Sequence, residues 1–231
     1  GGAINVYHYG SSTANAKVDN ITFAIASAGL MTGYSYAAGT FEASLTSTGT
    51  ITSGSVSVVN SFASDATTDL TPAAGGISAS LFSVAANISL AESKSIGKAF
   101  ISGTGLITTG AVTVSSKAKA TANAVIHGAV LKISGVDVAV NEAYANVSAT
   151  QDAYIETVTI SAGSVDVSSA LNDSENTGAV ATVGSNGCLT SVKISYISGE
   201  VSLAQAFVSA RSYAYIKGAS LSVTGAVSVG T

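Results

Sequence analysis

Most of this chain alternates apolar with polar residues, one by one. Between Lys117 and Gly128, Ala118, Ala120, Ala122, Ala124, Ile126 and Gly128 take one face, and Lys117, Lys119, Thr121, Asn123, Val125 and His127 take the other. Further along, Ala204, Ala206, Val208, Ala210, Ser212, Ala214 and Ile216 oppose Gln205, Phe207, Ser209, Arg211, Tyr213, Tyr215 and Lys217. Ala143, Ala145, Val147, Ala149, Ala153 and Ile155 mark a third such stretch. An apolar period of two predicts β-strands with one buried face.

A short phrase punctuates these strands: a glycine, one residue, then apolar-x-apolar. It reads Gly54-Ser55-Val56-Ser57-Val58, and returns at Gly110-Ala111-Val112, Gly163-Ser164-Val165, Gly199-Glu200-Val201 and Gly225-Ala226-Val227. Looser copies stand at Asn87-Ile88-Ser89-Leu90 and Gly135-Val136-Asp137-Val138, with an earlier one at Ile21-Thr22-Phe23-Ala24-Ile25. A third strand type, Leu131-Lys132-Ile133 or Leu221-Ser222-Val223, completes the unit. The mean spacing is about 28 residues, with steps of roughly 25–36, the range that one turn of a stacked-repeat fold occupies.

The expected fold is therefore all-β: a right-handed parallel β-solenoid of about eight turns, with roughly 25–36 residues per turn. Equivalent residues would stack about 4.8 Å apart, giving a rod of about 38 Å. Inward alanines let two walls approach closely, and small residues at the corners supply positive φ. One proline, Pro72, leaves almost every residue able to donate to a ladder. The competing architecture is an antiparallel sandwich or barrel. Against it, Asn186-Gly187 is the sole hairpin-type dipeptide, and the order of strand types repeats. Residues 1–231 read as one domain, and its first and last residues suggest a segment of a longer repetitive protein.

Composition narrows the function. Hydrophobic residues make up 47% of the chain and charged residues 10%, yet no apolar run reaches the length of a spanning helix. A net charge of −4 and a single arginine, Arg211, form a poor footprint for nucleic acid or an anionic membrane. The lone cysteine, Cys188, rules out an internal disulfide framework. His8 and His127 occupy unrelated repeat positions and share no ligand set. Tripeptides such as Asn146-Val147-Ser148 match a glycosylation acceptor, as chance allows in an Asn/Ser/Thr-rich chain.

Two groups of residues carry what candidate chemistry there is. Asp137 and Asp166 fill the same place in the repeat, so they are expected to stack on the outer face beside Thr113 and Ser202. With Asp173 and Glu175 of the polar stretch Asn172–Gly178, expected as a corner insertion, they are the candidate calcium ligands; otherwise no cofactor is expected. Solvated surface carboxylates are the plainer reading. The second group is aromatic. Tyr144, Tyr154, Phe207, Tyr213 and Tyr215 share one predicted outer face, with Tyr34 and Tyr36 on a similar strand. Such a face could stack on sugar rings or cover a partner. An ice-binding wall would need a regular threonine ladder, which the mixed outer positions lack.

The repeat phrases resemble those of long bacterial surface proteins with β-helical shafts, namely filamentous-haemagglutinin-like adhesins and autotransporter passenger domains. That resemblance rests on pattern and implies secretion to the cell surface and a structural or adhesive role. It carries over no catalytic residue. The expected protein is thus a non-enzymatic extracellular module that associates with itself or with neighbouring repeats, or meets a glycan or host surface. A carbohydrate-binding protein, or a β-helical polysaccharide lyase or hydrolase, is the alternative.

Overall fold

A computed structural model describes residues 1–19, 26–71, 77–127, 131–172, 178–183 and 192–231. Among these, 88% lie in strands and none in a helix. In chain order the strands are β1 (Ala3–Asp19), β2 (Ala26–Ser47), β3 (Thr50–Thr52), β4 (Ser55–Thr71), β5 (Ile77–Gly103), β6 (Leu106–Ile126) and β7 (Leu131–Val147). They continue with β8 (Thr150–Glu156), β9 (Thr159–Leu171), β10 (Ala179–Val183), β11 (Val192–Val208), β12 (Arg211–Lys217), β13 (Ser220–Val223) and β14 (Val227–Gly230).

Every pairing is parallel, and the strands form two sheets between which the chain alternates. The first sheet holds β1, then β3 with β4, then β6, then β9 with β10, then β13 with β14. The second holds β2, then β5, then β7 with β8, then β11 with β12. Among the described residues no neighbouring strands run as hairpins; parallel partners need a long crossover, here supplied by a pass through the other sheet.

The register corrects the expected period. In the first sheet Ile4, Val56, Val112, Val165 and Val227 stack in one column. In the second, Ala43, Ala99, Ala153 and Ala214 do so. A residue therefore meets its equivalent 52 to 62 positions later, not 25–36. The repeated phrases alternate between sheets, so two of them fit within each step. The phrases at Gly54, Gly110, Gly163 and Gly225 belong to the first sheet, those at Gly135 and Gly199 to the second. The copy at Ile21–Ile25 lies outside the described residues.

Two apolar clusters, each drawing on both sheets, make the core. One contains Val56, Val112, Ile107, Ile160, Ala153 and Ile155, and the other Leu70, Ala120, Ala122, Ile126, Ala145 and Val147. Between them runs a buried polar seam. The inward column His8–Asn60–Ser116–Ser169 of the first sheet faces the column Phe41–Gly97–Gln151–Ser212 of the second. Ser116 Oγ donates to Gln151 Oε1 at 2.7 Å, and His8 Nδ1 donates to Asn60 Oδ1 at 3.1 Å. Phe41 and Phe62 stack beside them, 4.4 Å apart. Gly97 makes room: a Cβ there would lie 2.4 Å from Phe62 Cε1, 2.5 Å from Gln151 Oε1 and 2.8 Å from Asn60 Nδ2. Gly97→Ala should lower stability by about 2 kcal/mol through overpacking. Gly29→Ala, where an added methyl meets nothing within 4 Å, should cost far less; urea denaturation compares them.

The recurrent glycines also have a steric cause. A Cβ on Gly110, Gly163 or Gly225 would come within 2.6, 2.3 or 2.6 Å of the carbonyl oxygen of the glycine one rung below. The first-sheet ladder steps over Gly110 and Gly163. Left-handed φ occurs instead at Gly103 and Gly218, and at Thr157 and Asn172 among non-glycine residues.

Candidate functional site

The outer face of the second sheet gathers the predicted aromatics. Tyr154 of β8 pairs in register with Tyr215 of β12 and with Phe100 of β5. The three rings form one stack: Phe100 to Tyr154 spans 4.8 Å at 4° between planes, and Tyr154 to Tyr215 spans 5.0 Å at 2°. Rung spacing produces this geometry, since parallel neighbours about 4.8 Å apart hold identical side chains face to face. Tyr144 of β7 meets Phe207 of β11 diagonally, with centroids 5.3 Å apart. Tyr213 tops the column Glu42–Lys98–Asp152, beside the stack. On β2, Tyr34 and Tyr36 face out with centroids 6.2 Å apart, and Tyr34 donates to Glu92 Oε2.

Sequence reasoning did not single out Phe100. Its signal was available: it stands one repeat offset before Tyr154, but the halved period hid the match. The stack also changes what the face can do. Rings pressed face to face cover each other, so a sugar could stack on the stack's end and not along its length.

Charges flank the stack. Lys217 lies 3.7 Å from Glu156. Burial raises the Asp152 carboxyl pKa above its ordinary 3.8, against the opposing pull of Lys98. A carboxylate with a raised pKa in the folded state destabilises that state once ionised, so stability should fall as pH rises from about 3.8 through the raised value. Asp152→Asn should remove this loss, making the variant more stable than the parent at neutral pH and no more stable in acid. Paired denaturation curves at the two pH values test the sign. Burial likewise raises the phenols of Tyr154 and Tyr215, with neighbouring acidic groups adding to it. Both stay protonated through the neutral range, and their ionisation in strong alkali should loosen the outer rungs.

The carboxylates expected to stack do not meet. Asp166 lies in β9, on the first sheet, between Thr113 and Ser228. Asp137 lies in β7, on the second, where its neighbours are Ser83 and Ser198. Asp137 is also fully buried, whereas an outer position was expected. Strand parity explains the reversal. Ala139, Asn141, Ala143, Ala145 and Val147 are buried along one uninterrupted strand, so Asp137 shares their face and Val138 and Val140 are exposed. Ser202 stacks on Asn141, not beside Asp166. The buried Asn141 accepts from Asn87 Nδ2 at 2.8 Å and donates to Glu200 Oε1 at 2.9 Å. Asp173 and Glu175 lie outside the described residues, as does Cys188. Residues 173–177 of the polar stretch expected as a corner insertion lie outside the described residues, and only its flanks are placed. Leu171 pairs with Ala118 and Ala179 with Ala122, while the Asn172 amide bridges the gap by donating to Ala120 O and accepting from Ala120 N. Among the described residues no three His, Cys, Asp or Glu side chains are grouped to hold a metal. His8 is engaged with Asn60, and His127 Nε2 lies 2.9 Å from Asp69, so the two histidines remain apart.

Two further surfaces stand out. The same parity exposes Leu30, Val84, Val138, Val140, Val201 and Leu203 on the second sheet. On the first sheet a trough of about 400 Å³ is lined by Tyr9, Ser61, Ala63, Lys117, Lys119 and Ala170 among others. No helix of the described residues is long and apolar enough to cross a membrane. No protein-family model, curated protein or solved structure matches the chain.

Proposed function

We propose that this chain is a structural or adhesive module: a right-handed parallel β-solenoid whose coils each take one layer from both sheets, forming part of an extracellular or cell-surface shaft. The observation that carries the reading is the column register. Like residues stack on like from rung to rung, and among the described residues no further strand pairs with the outer edges of β1 and β2 or of β11 to β14. Such an edge is a template for another strand of the same direction. The natural partner is a further coil of the same kind, within one chain or between copies, and a heterologous contact of that type grows into a filament. Electron microscopy of purified protein across a concentration series tests this. Rods that lengthen by end-to-end addition are expected. Particles of one fixed length at every concentration, together with a compact outline, would count against the reading.

A second reading is binding of a glycan without turnover. The trough beside Tyr9 supports it: small side chains floor it, an exposed aromatic ring borders it, and Lys117 projects from a rung between Ser61 and Ala170, neither of which can neutralise its ammonium. Catalysis has less support. Glu42 and Asp152 share an outward column, but Lys98 stands between them where a scissile bond would have to lie. A glycan array containing acidic and neutral chains tests the binding reading, with loss of signal expected for Lys117→Ala.

A further inference from the structure

We infer that Tyr154 and Tyr215 form a site of oxidative cross-linking, at which a one-electron oxidant couples the two phenols into a dityrosine that staples neighbouring rungs of the second sheet. The two residues are register partners on adjacent parallel strands, 61 positions apart in sequence. Their rings are 5.0 Å apart and 2° from parallel. Tyr215 lies on the outermost rung and is 37% exposed, so oxidant reaches the pair from solvent. Burial of the pair is partial, and Phe100 closes its inner side.

The chemistry balances with hydrogen peroxide acting through a haem peroxidase. Each phenol loses one hydrogen atom from its oxygen, and the two radicals join by a carbon–carbon bond between ring positions ortho to the oxygens. The hydrogens on those two carbons then move to the oxygens, restoring both phenols. Peroxide takes up the two electrons and two protons and leaves as two waters.

Proximity selects this pair. A radical on either ring finds its partner held in contact, and positioned reactants of this kind outcompete encounters in solution. The other close tyrosines, Tyr7 with Tyr9 and Tyr34 with Tyr36, sit two residues apart on single strands, with centroids at 6.1 and 6.2 Å. Their separation is fixed by the backbone rise of about 6.6 Å for two residues, which the strand cannot shorten. Across rungs the backbones are only about 4.8 Å apart. The bond would close a long loop of chain, restricting the unfolded ensemble as other covalent cross-links do.

Dilute protein treated with peroxidase and peroxide should gain dityrosine fluorescence in the monomer, lose the mass of two hydrogens, and yield one cross-linked peptide pair containing residues 154 and 215. The thermal midpoint should rise by about 10 °C. Tyr154→Phe and Tyr215→Phe should each abolish the monomer cross-link. Both variants are expected to fold, because Phe100 already occupies a rung of this column. Tyr34→Phe should leave the product unchanged. Cross-links confined to dimers, a monomer product mapping to other tyrosines, or an unchanged product in Tyr154→Phe would each overturn the assignment.

Discussion

Gly103→Ala is expected to destabilise the protein by about 4 kcal/mol, a large share of the 5–15 kcal/mol that a folded domain usually holds. Gly103 ends β5 with φ at 120°, a conformation L side chains rarely adopt. An added Cβ would also lie 2.0 Å from the carbonyl oxygen of Ser47 on the rung below. That oxygen cannot retreat, since it accepts from Gly105 N at 2.9 Å. The next turn is built on the same stack: Leu106 N donates to Gly49 O at 3.1 Å, and Thr159 N donates to Gly105 O at 3.1 Å. Conformational strain and backbone collision therefore add, and relief of either would break turn-to-turn hydrogen bonds. Gly49→Ala is the matched control, because a methyl there meets nothing within 4 Å. It should change stability by less than about 0.5 kcal/mol. Equilibrium denaturation of the two variants decides the matter; equal costs would mean that these turns are not stacked.

Ile155→Ala should cost nearly as much, about 4 kcal/mol. Ile155 is fully buried in the column Leu45–Ile101–Ile155–Ile216 and belongs to the apolar cluster shared by both sheets. Removing its side chain takes away transfer energy and leaves a cavity that neighbouring rungs, held by two ladders each, cannot collapse to fill. Ile216→Ala removes the same atoms from an outer rung, where the side chain is half-buried, and should cost about half as much. The gradient along one column is the informative quantity. If both substitutions cost the same in denaturant titrations, the rung order is wrong.

The aromatic stack and the polar seam show two uses of the same regularity. Outside, repetition places Phe100, Tyr154 and Tyr215 face to face. Inside, it sets Asn60 and Ser116 opposite Gly97 and Gln151, so that one glycine admits three large neighbours. A one-step slip of either sheet would move Phe62 off Gly97, whose missing Cβ is what admits the ring. The same slip would part Ser116 Oγ from Gln151 Oε1, which it meets at 2.7 Å in this register.

How much of this was legible follows from what a strand pattern encodes. Alternation specifies which residues share a face, so Ala118 to Ile126 and Ala143 to Ile155 are buried where the pattern places them. The equivalence of Tyr154 and Tyr215 was legible too, because both precede an inward isoleucine in matching phrases. The pattern could not show which phrases lie in the same sheet. Both sheets use similar phrases, so the recurrence counts half-steps, and a half-step reads as a full turn. Nor could the Val-x-Val motif reveal its own orientation. In β4, β6 and β9 those valines point inward, whereas Val138 points outward because the alanines that follow on β7 hold the core face. Asp137 went inside for that reason, parting it from Asp166.

The sequence by itself determined the strands, their two faces and the residues that recur, since these depend on a local period of two and on side-chain size. Tertiary structure decided the pairing offset, the sheet to which each phrase belongs, and the closeness of Phe100, Tyr154 and Tyr215. Those are contacts between residues more than fifty positions apart, and their energy depends on which rung lies above which, a relation no local window of sequence contains.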